Sequence, residues 1–145
     1  MGVRRGLKPL KELGCHVLVD AWECPPALLN DLELIREVLA EAVKSGGATL
    51  IDLCTHQFSP QGVTATATLA ESHIALHTWP EYGYFAADLF FCGAGEPYQA
   101  VETLRIRLRA GELRTRELKR GFEELPRLLD ADAAAESQGF EIDDE

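Results

Sequence analysis

The chain has 145 residues, 46% of them hydrophobic, which suits one domain with a real apolar core, and a formal net charge of -10. Nine acidic residues against one base, Arg127, lie between Glu123 and Glu145, so the remainder is near charge balance. An acidic surface repels phosphate backbones, which argues against a nucleic-acid partner, and no apolar run is long enough to cross a bilayer.

Residues 1–12 read as a basic, loose lead-in with no signal-peptide apolar stretch behind them. A cytoplasmic location is therefore expected, with Cys15, Cys24, Cys54 and Cys92 as reduced thiols. His16 to Trp22 alternates loosely enough to be a strand. After Pro25-Pro26, Asn30 is the expected N-cap of a helix, with Glu33 three residues on. Leu32, Ile35, Val38, Leu39, Ala42 and Val43 then form one apolar stripe that Gly46-Gly47 ends. Ala48 to Phe58 is a candidate strand, and Ser59 to Gly62 a turn. Val63, Ala65, Ala67 and Leu69 alternate strictly with Thr64, Thr66 and Thr68, giving a strand with one apolar and one hydroxylated face. His73 to Trp79 is the next strand, Pro80 to Gly83 a turn, and Tyr84 to Cys92 a further strand. Pro97 opens a second helix at its first position, with Val101, Leu104 and Leu108 buried and Gly111 at its end. Glu112 to Leu118 is a weaker last strand.

Short links between the middle strands favour hairpins, hence an antiparallel sheet. Two main helices cover only one face, so the expected fold is α+β, a two-layer sandwich whose second sheet face is polar or covered by a partner. Residues 1–122 form the expected domain, and residues 123–145 an acidic, solvated, disordered tail.

The densest cluster of reactive side chains is Glu71, Ser72, His73, His77, Trp79 and Glu81, followed by Cys92, among strands otherwise built of Val, Ala, Leu and Thr. Strand ends beside turns hold polar chemistry rigidly, so this is the expected active site. The pairs Cys15-His16, Cys54-x-His56 and His73-x-x-x-His77 offer soft ligands. Their spacings match no common structural zinc site, and no metal is expected. Taken alone, the residues name no reaction.

The segment Ala70-Glu71-Ser72-His73-Ile74-Ala75-Leu76-His77-Thr78-Trp79-Pro80-Glu81-Tyr82-Gly83, with Cys92-Gly93, closely resembles the self-processing segment of the bacterial and archaeal S-adenosylmethionine decarboxylases. The resemblance extends over about residues 13–120. It implies that the Ser72 hydroxyl attacks the Glu71 carbonyl, that the resulting ester is lost by β-elimination, and that residue 72 becomes an N-terminal pyruvoyl group. That covalent group, in place of pyridoxal phosphate, forms a Schiff base with the substrate amine and accepts the electrons released with carbon dioxide. The resemblance further implies that His77 is the proton acceptor in processing, that Thr64 stands where the family commonly has Ser, and that Cys92 is the proton donor in turnover. Phe58 matches the aromatic that stacks on adenine, and Glu81 the carboxylate that takes the ribose hydroxyls. Trp79 is pocket wall or core, and His73 orients its neighbours. The implied product is the aminopropyl donor of spermidine synthesis.

Two alternatives accompany this reading. A pyruvoyl enzyme acting on arginine or ornithine shares Ser72, His77 and Cys92, but has no ring for Phe58 to stack on and no diol for Glu81. An unprocessed, non-catalytic homologue is disfavoured by the intact Glu71-Ser72 pair. The resemblance also implies a homodimer with sheets face to face. His77 lies five strand residues from Ser72, about 16 Å at 3.3 Å per residue, so either the segment bends sharply or His77 serves the Ser72 of a neighbouring chain, and the uncovered sheet face favours the second.

Overall fold

The computed structural model describes residues 11–124. Most of the lead-in and most of the acidic tail expected from the sequence lie outside those residues. Six strands, β1 (Glu12–Trp22), β2 (Leu50–Gln57), β3 (Val63–Leu69), β4 (Ser72–Trp79), β5 (Tyr84–Cys92) and β6 (Glu112–Phe122), form one sheet of order β2-β3-β4-β5-β1-β6. Every neighbouring pair is antiparallel. Three helices accompany it: α1 (Pro26–Leu29), α2 (Leu32–Ser45) and α3 (Pro97–Arg107); a 3-10 turn covers Pro80–Tyr82. The expected α+β two-layer sandwich is the observed one.

The alternation in β3 has its predicted consequence. Val63, Ala65, Ala67 and Leu69 are buried, while the threonines face away from the core. Ile35, Val38, Leu39, Ala42 and Val43 of α2, and Ala100, Val101 and Leu104 of α3 with Leu108 just beyond it, close the core over one sheet face. Val17, Ile74, Leu76, Phe85 and Leu89 meet them from the strands. The other face bears His16, Asp20, His73, His77, Asp88 and Cys92, and no helix of the described residues covers it.

Local details differ from expectation. The α2 N-cap is Asp31 rather than Asn30, its carboxylate accepting from the Leu34 N–H at 3.1 Å. Asn30 instead closes the unpredicted short α1, and its Oδ1 accepts from the Gly62 N–H at 3.0 Å and Gln57 Nε2 at 2.9 Å. A tertiary bridge has taken the better-looking cap, and the next polar residue serves. Helix α3 stops at Arg107, before Gly111, whose N–H donates to Trp22 O at 3.0 Å. The weak last strand runs on to Phe122 because it pairs along the whole of β1. No helix among the described residues is long and apolar enough to cross a membrane.

Candidate active site

Strands β3 and β4 are joined by a hairpin whose loop is only Ala70 and Glu71, with Leu69 paired to Ser72. Two-residue hairpins normally place a positive φ inside the loop, which favours Gly or Asn there. Neither loop residue has one; the positive φ, 148°, falls on Ser72. A side-chain-bearing residue rarely adopts that region, so backbone strain sits at the Glu71-Ser72 peptide bond.

That bond is also held on both sides. The Glu71 carbonyl oxygen accepts from the Cys92 N–H at 2.9 Å, and the Ser72 and Cys92 side chains meet with Oγ and Sγ 3.2 Å apart. The Glu71 carboxylate accepts from the Thr49 N–H at 3.0 Å and the Thr49 hydroxyl at 3.2 Å. The Thr49 N–H is the main cause of a carboxyl held below its usual range; desolvation opposes it, and Glu71's own N–H and the Thr49 hydroxyl lower it further. A backbone donor on the carbonyl oxygen and a hydroxyl on the next residue are two components of an acyl-transfer centre.

His77 is elsewhere. It lies on the open face of β4, where its Nδ1 is 3.0 Å from Thr64 Oγ1 on β3. Phe58 follows β2 at the same end of the sheet, 47% exposed, its ring 4.6 Å from that of His56. Trp79 is exposed at the end of β4, in a row with Tyr84 at 5.3 Å and Trp22 beyond it at 5.7 Å. It belongs to the open face and not to the core. Glu81 is exposed on the 3-10 turn just after it. The expected site residues thus form two groups: Glu71, Ser72 and Cys92 at one end of β4, and Phe58, Thr64, His77, Trp79 and Glu81 at the other.

Between them lies a third group that sequence reasoning only touched. His73 Nε2 and His16 Nε2 approach the same Asp88 oxygen, at 2.7 and 3.0 Å. Burial works to raise the Asp88 carboxyl, but the hydrogen bonds it accepts from His16 and His73 lead the effects that outweigh it, and the carboxyl is held low. The signal for Asp88 was present: it is the one charged residue in the β5 run YFAADLFFC. The soft-ligand pairs seen in the sequence do not come together as pairs. His16 and His73 meet on the open face with Asp88, the one group of three potential metal-ligating side chains found among the described residues.

The chain as a whole is similar to known proteins. The family model for S-adenosylmethionine decarboxylase matches residues 15–121. An S-adenosylmethionine decarboxylase proenzyme of Methanococcus vannielii is 43% identical over 121 residues, covering 83% of this chain and 99% of the relative. One from Parasynechococcus marenigrum is 48% identical over 109 residues, 74% of this chain and 85% of the relative. The crystal structure of the adenosylmethionine decarboxylase from Aquifex aeolicus superposes with a TM-score of 0.74 at 35% identity, covering 81% of this chain and 99% of that one. With its sheet, its strained Glu71-Ser72 hairpin and this likeness along nearly all the described residues, the chain belongs to the S-adenosylmethionine decarboxylase family.

Proposed function

We propose that the chain cleaves itself between Glu71 and Ser72 and decarboxylates S-adenosylmethionine with the pyruvoyl group that cleavage leaves on residue 72. The observation that carries this reading is the hairpin: a strained Ser72 whose preceding carbonyl is already polarised by the Cys92 N–H. Ser72 Oγ attacks the Glu71 carbonyl carbon, the C–N bond breaks, and the hydroxyl proton passes through a base to the departing nitrogen. The Cys92 N–H faces the oxygen on which negative charge develops. Removal of the Ser72 α-proton then expels the Glu71 carboxylate, and hydrolysis of the dehydroalanine so formed releases ammonia and leaves the ketone. Relief of the backbone strain at residue 72 favours the forward direction.

The residues present fit the group, since Ser72 supplies its atoms and Cys92 already touches that side chain. When present, the pyruvoyl group supplies the electron sink for loss of carbon dioxide, the part pyridoxal phosphate plays in other decarboxylases. Cys92 Sγ is the proton donor to the substrate carbon, Phe58 stacks on the adenine, Glu81 binds the ribose hydroxyls, and Trp79 walls the pocket. The exposure of Phe58 and Glu81 supports this, since groups awaiting a ligand are not committed to the core. A basic amino acid would use neither, and the relatives are named for S-adenosylmethionine.

The site requires two chains. Seven strand residues separate Ser72 from Trp79, about 23 Å at 3.3 Å per residue, so one chain's adenosine-binding end cannot serve its own Ser72. A two-fold pairing of open sheet faces brings each chain's Phe58–His77–Glu81 end over its partner's Ser72–Cys92 end.

The first test is intact mass under denaturing conditions. Two pieces are expected, residues 1–71 and a pyruvoyl-capped 72–145; a single full-length mass after prolonged incubation overturns self-cleavage. Replacing Cys92 with Ala should leave cleavage largely intact, because the backbone N–H remains, and should lower turnover by about 100-fold or more, the scale of a lost general acid. Faster inactivation should accompany it, through protonation at the wrong carbon and conversion of the pyruvoyl group to alanine. Unchanged turnover and lifetime would remove Cys92 from the role.

A further inference from the structure

Cleavage creates a mechanical problem at residue 72. Before it, β4 is tied to β3 by the two-residue hairpin; after it, residue 72 is a chain terminus, and termini fray. Reacting groups need to be held within about 0.5 Å of their working geometry. At this strand end the ladder pairs Ser72 with Leu69 and Phe91, and His73 with Thr68 and Phe90.

One side chain reinforces that ladder. His73 Nε2 donates to Asp88 on β5 at 2.7 Å, because a carboxylate only accepts. The same oxygen accepts from His16 Nε2 on β1 at 3.0 Å. Arg120 on β6, which can only donate, lies with Nη1 3.5 Å from His16 Nδ1, so His16 carries its proton on Nε2, toward Asp88. The hydrogen bonds therefore cross four adjacent strands from β4 to β6. Packing keeps them in place: the rings of His16 and His73 lie 5.4 and 6.1 Å from Phe90, and the Arg120 guanidinium 4.8 Å from the same ring. Gly14 makes room beneath, since a Cβ there would lie 2.4 Å from Phe90 Cε2. The group takes no part in the cleavage chemistry proposed above, yet it grips the residue next to the bond that breaks.

We propose that His73 is a positioning residue for decarboxylation: its bond to Asp88, backed by His16 and Arg120, straps the new N-terminus to the sheet after cleavage. The inference rests on the self-cleavage reading. It is tested in the full chain, incubated until cleavage is complete by intact mass, as parent, His73→Phe and His73→Gln. The phenyl ring keeps the bulk but cannot donate, whereas the Gln amide nitrogen reaches where Nε2 stood. His73→Phe should cleave, lose about 100-fold in kcat with KM within about threefold, and exchange amide hydrogens at residues 73–79 at least about tenfold faster. His73→Gln should recover most of both losses. Should His73→Phe fail to fold or cleave, Asp88→Leu, which keeps the bulk but offers no acceptor to His73 or His16, carries the same readouts with the same expectations. A cleaved variant with parental kcat and parental exchange overturns the strap alone, as does a kcat loss that Gln does not rescue. A parent chain that never cleaves overturns the self-cleavage reading and the strap with it.

Discussion

Replacing Ser72 with Ala is expected to give a folded, full-length, inactive protein. Without Oγ the acyl shift from the residue-72 nitrogen to its own side chain cannot occur, and the hairpin loop, Ala70 and Glu71, has no other hydroxyl to substitute. The Glu71 carbonyl keeps its bond from the Cys92 N–H, so the geometry around the peptide bond survives while its chemistry does not. Ala retains a Cβ at the positive φ, so the strain remains, and only the contact with Cys92 Sγ is lost. That should change stability by no more than about 1 kcal/mol, the net worth of an ordinary hydrogen bond. Decarboxylation should fall by at least about a million-fold, the lower end of enzymatic rate enhancements, because no ketone forms. Intact mass, urea unfolding and release of labelled carbon dioxide check the three statements. Activity in the uncleaved variant would end the pyruvoyl reading.

Mixing two defective chains should restore what neither does alone. His77 is five residues along β4 from Ser72, about 16 Å, whereas proton transfer needs hydrogen-bond range. Its Nδ1 is engaged by Thr64, leaving Nε2 for a group beyond its own chain. In a mixed dimer of Ser72→Ala and His77→Ala chains, one site has the Ser72 of one chain and the His77 of the other, and the second site has neither. Only the His77→Ala chain should be cleaved, and about half of its copies when the two are co-expressed equally and pair at random. His77→Ala alone should stay uncleaved or process far more slowly. Mixed dimers that form but never process would return His77 to its own chain. Thr64 enters through the same contact: its added methyl, relative to Ser, stiffens the hydroxyl that positions His77.

What the sequence determined by itself was local. The strict alternation in β3 and the apolar stripe of α2 state which face is buried, and the proline that opens α3 states where that helix starts, because periodicity and backbone restriction act within one element. The run from Glu71 to Gly83 with Cys92 is equally local, and it carried the family resemblance, although its residues taken alone named no reaction. The tertiary structure decided everything that depends on which strands become neighbours. It put β1 between β5 and β6, which brings His16 to Asp88 across 72 residues and Arg120 to His16 across 104. It moved the α2 cap from Asn30 to Asp31, because a loop 32 residues away claimed the Asn30 side chain. It placed the positive φ on Ser72, and it grouped Phe58 and Glu81 with His77 at the far end from Ser72 and Cys92, although only the His77–Ser72 gap followed from strand length in the sequence. Contacts between distant segments are set by shared burial and by the pairing of backbone donors and acceptors across the whole sheet. Neither leaves a period or a spacing in the segments that take part.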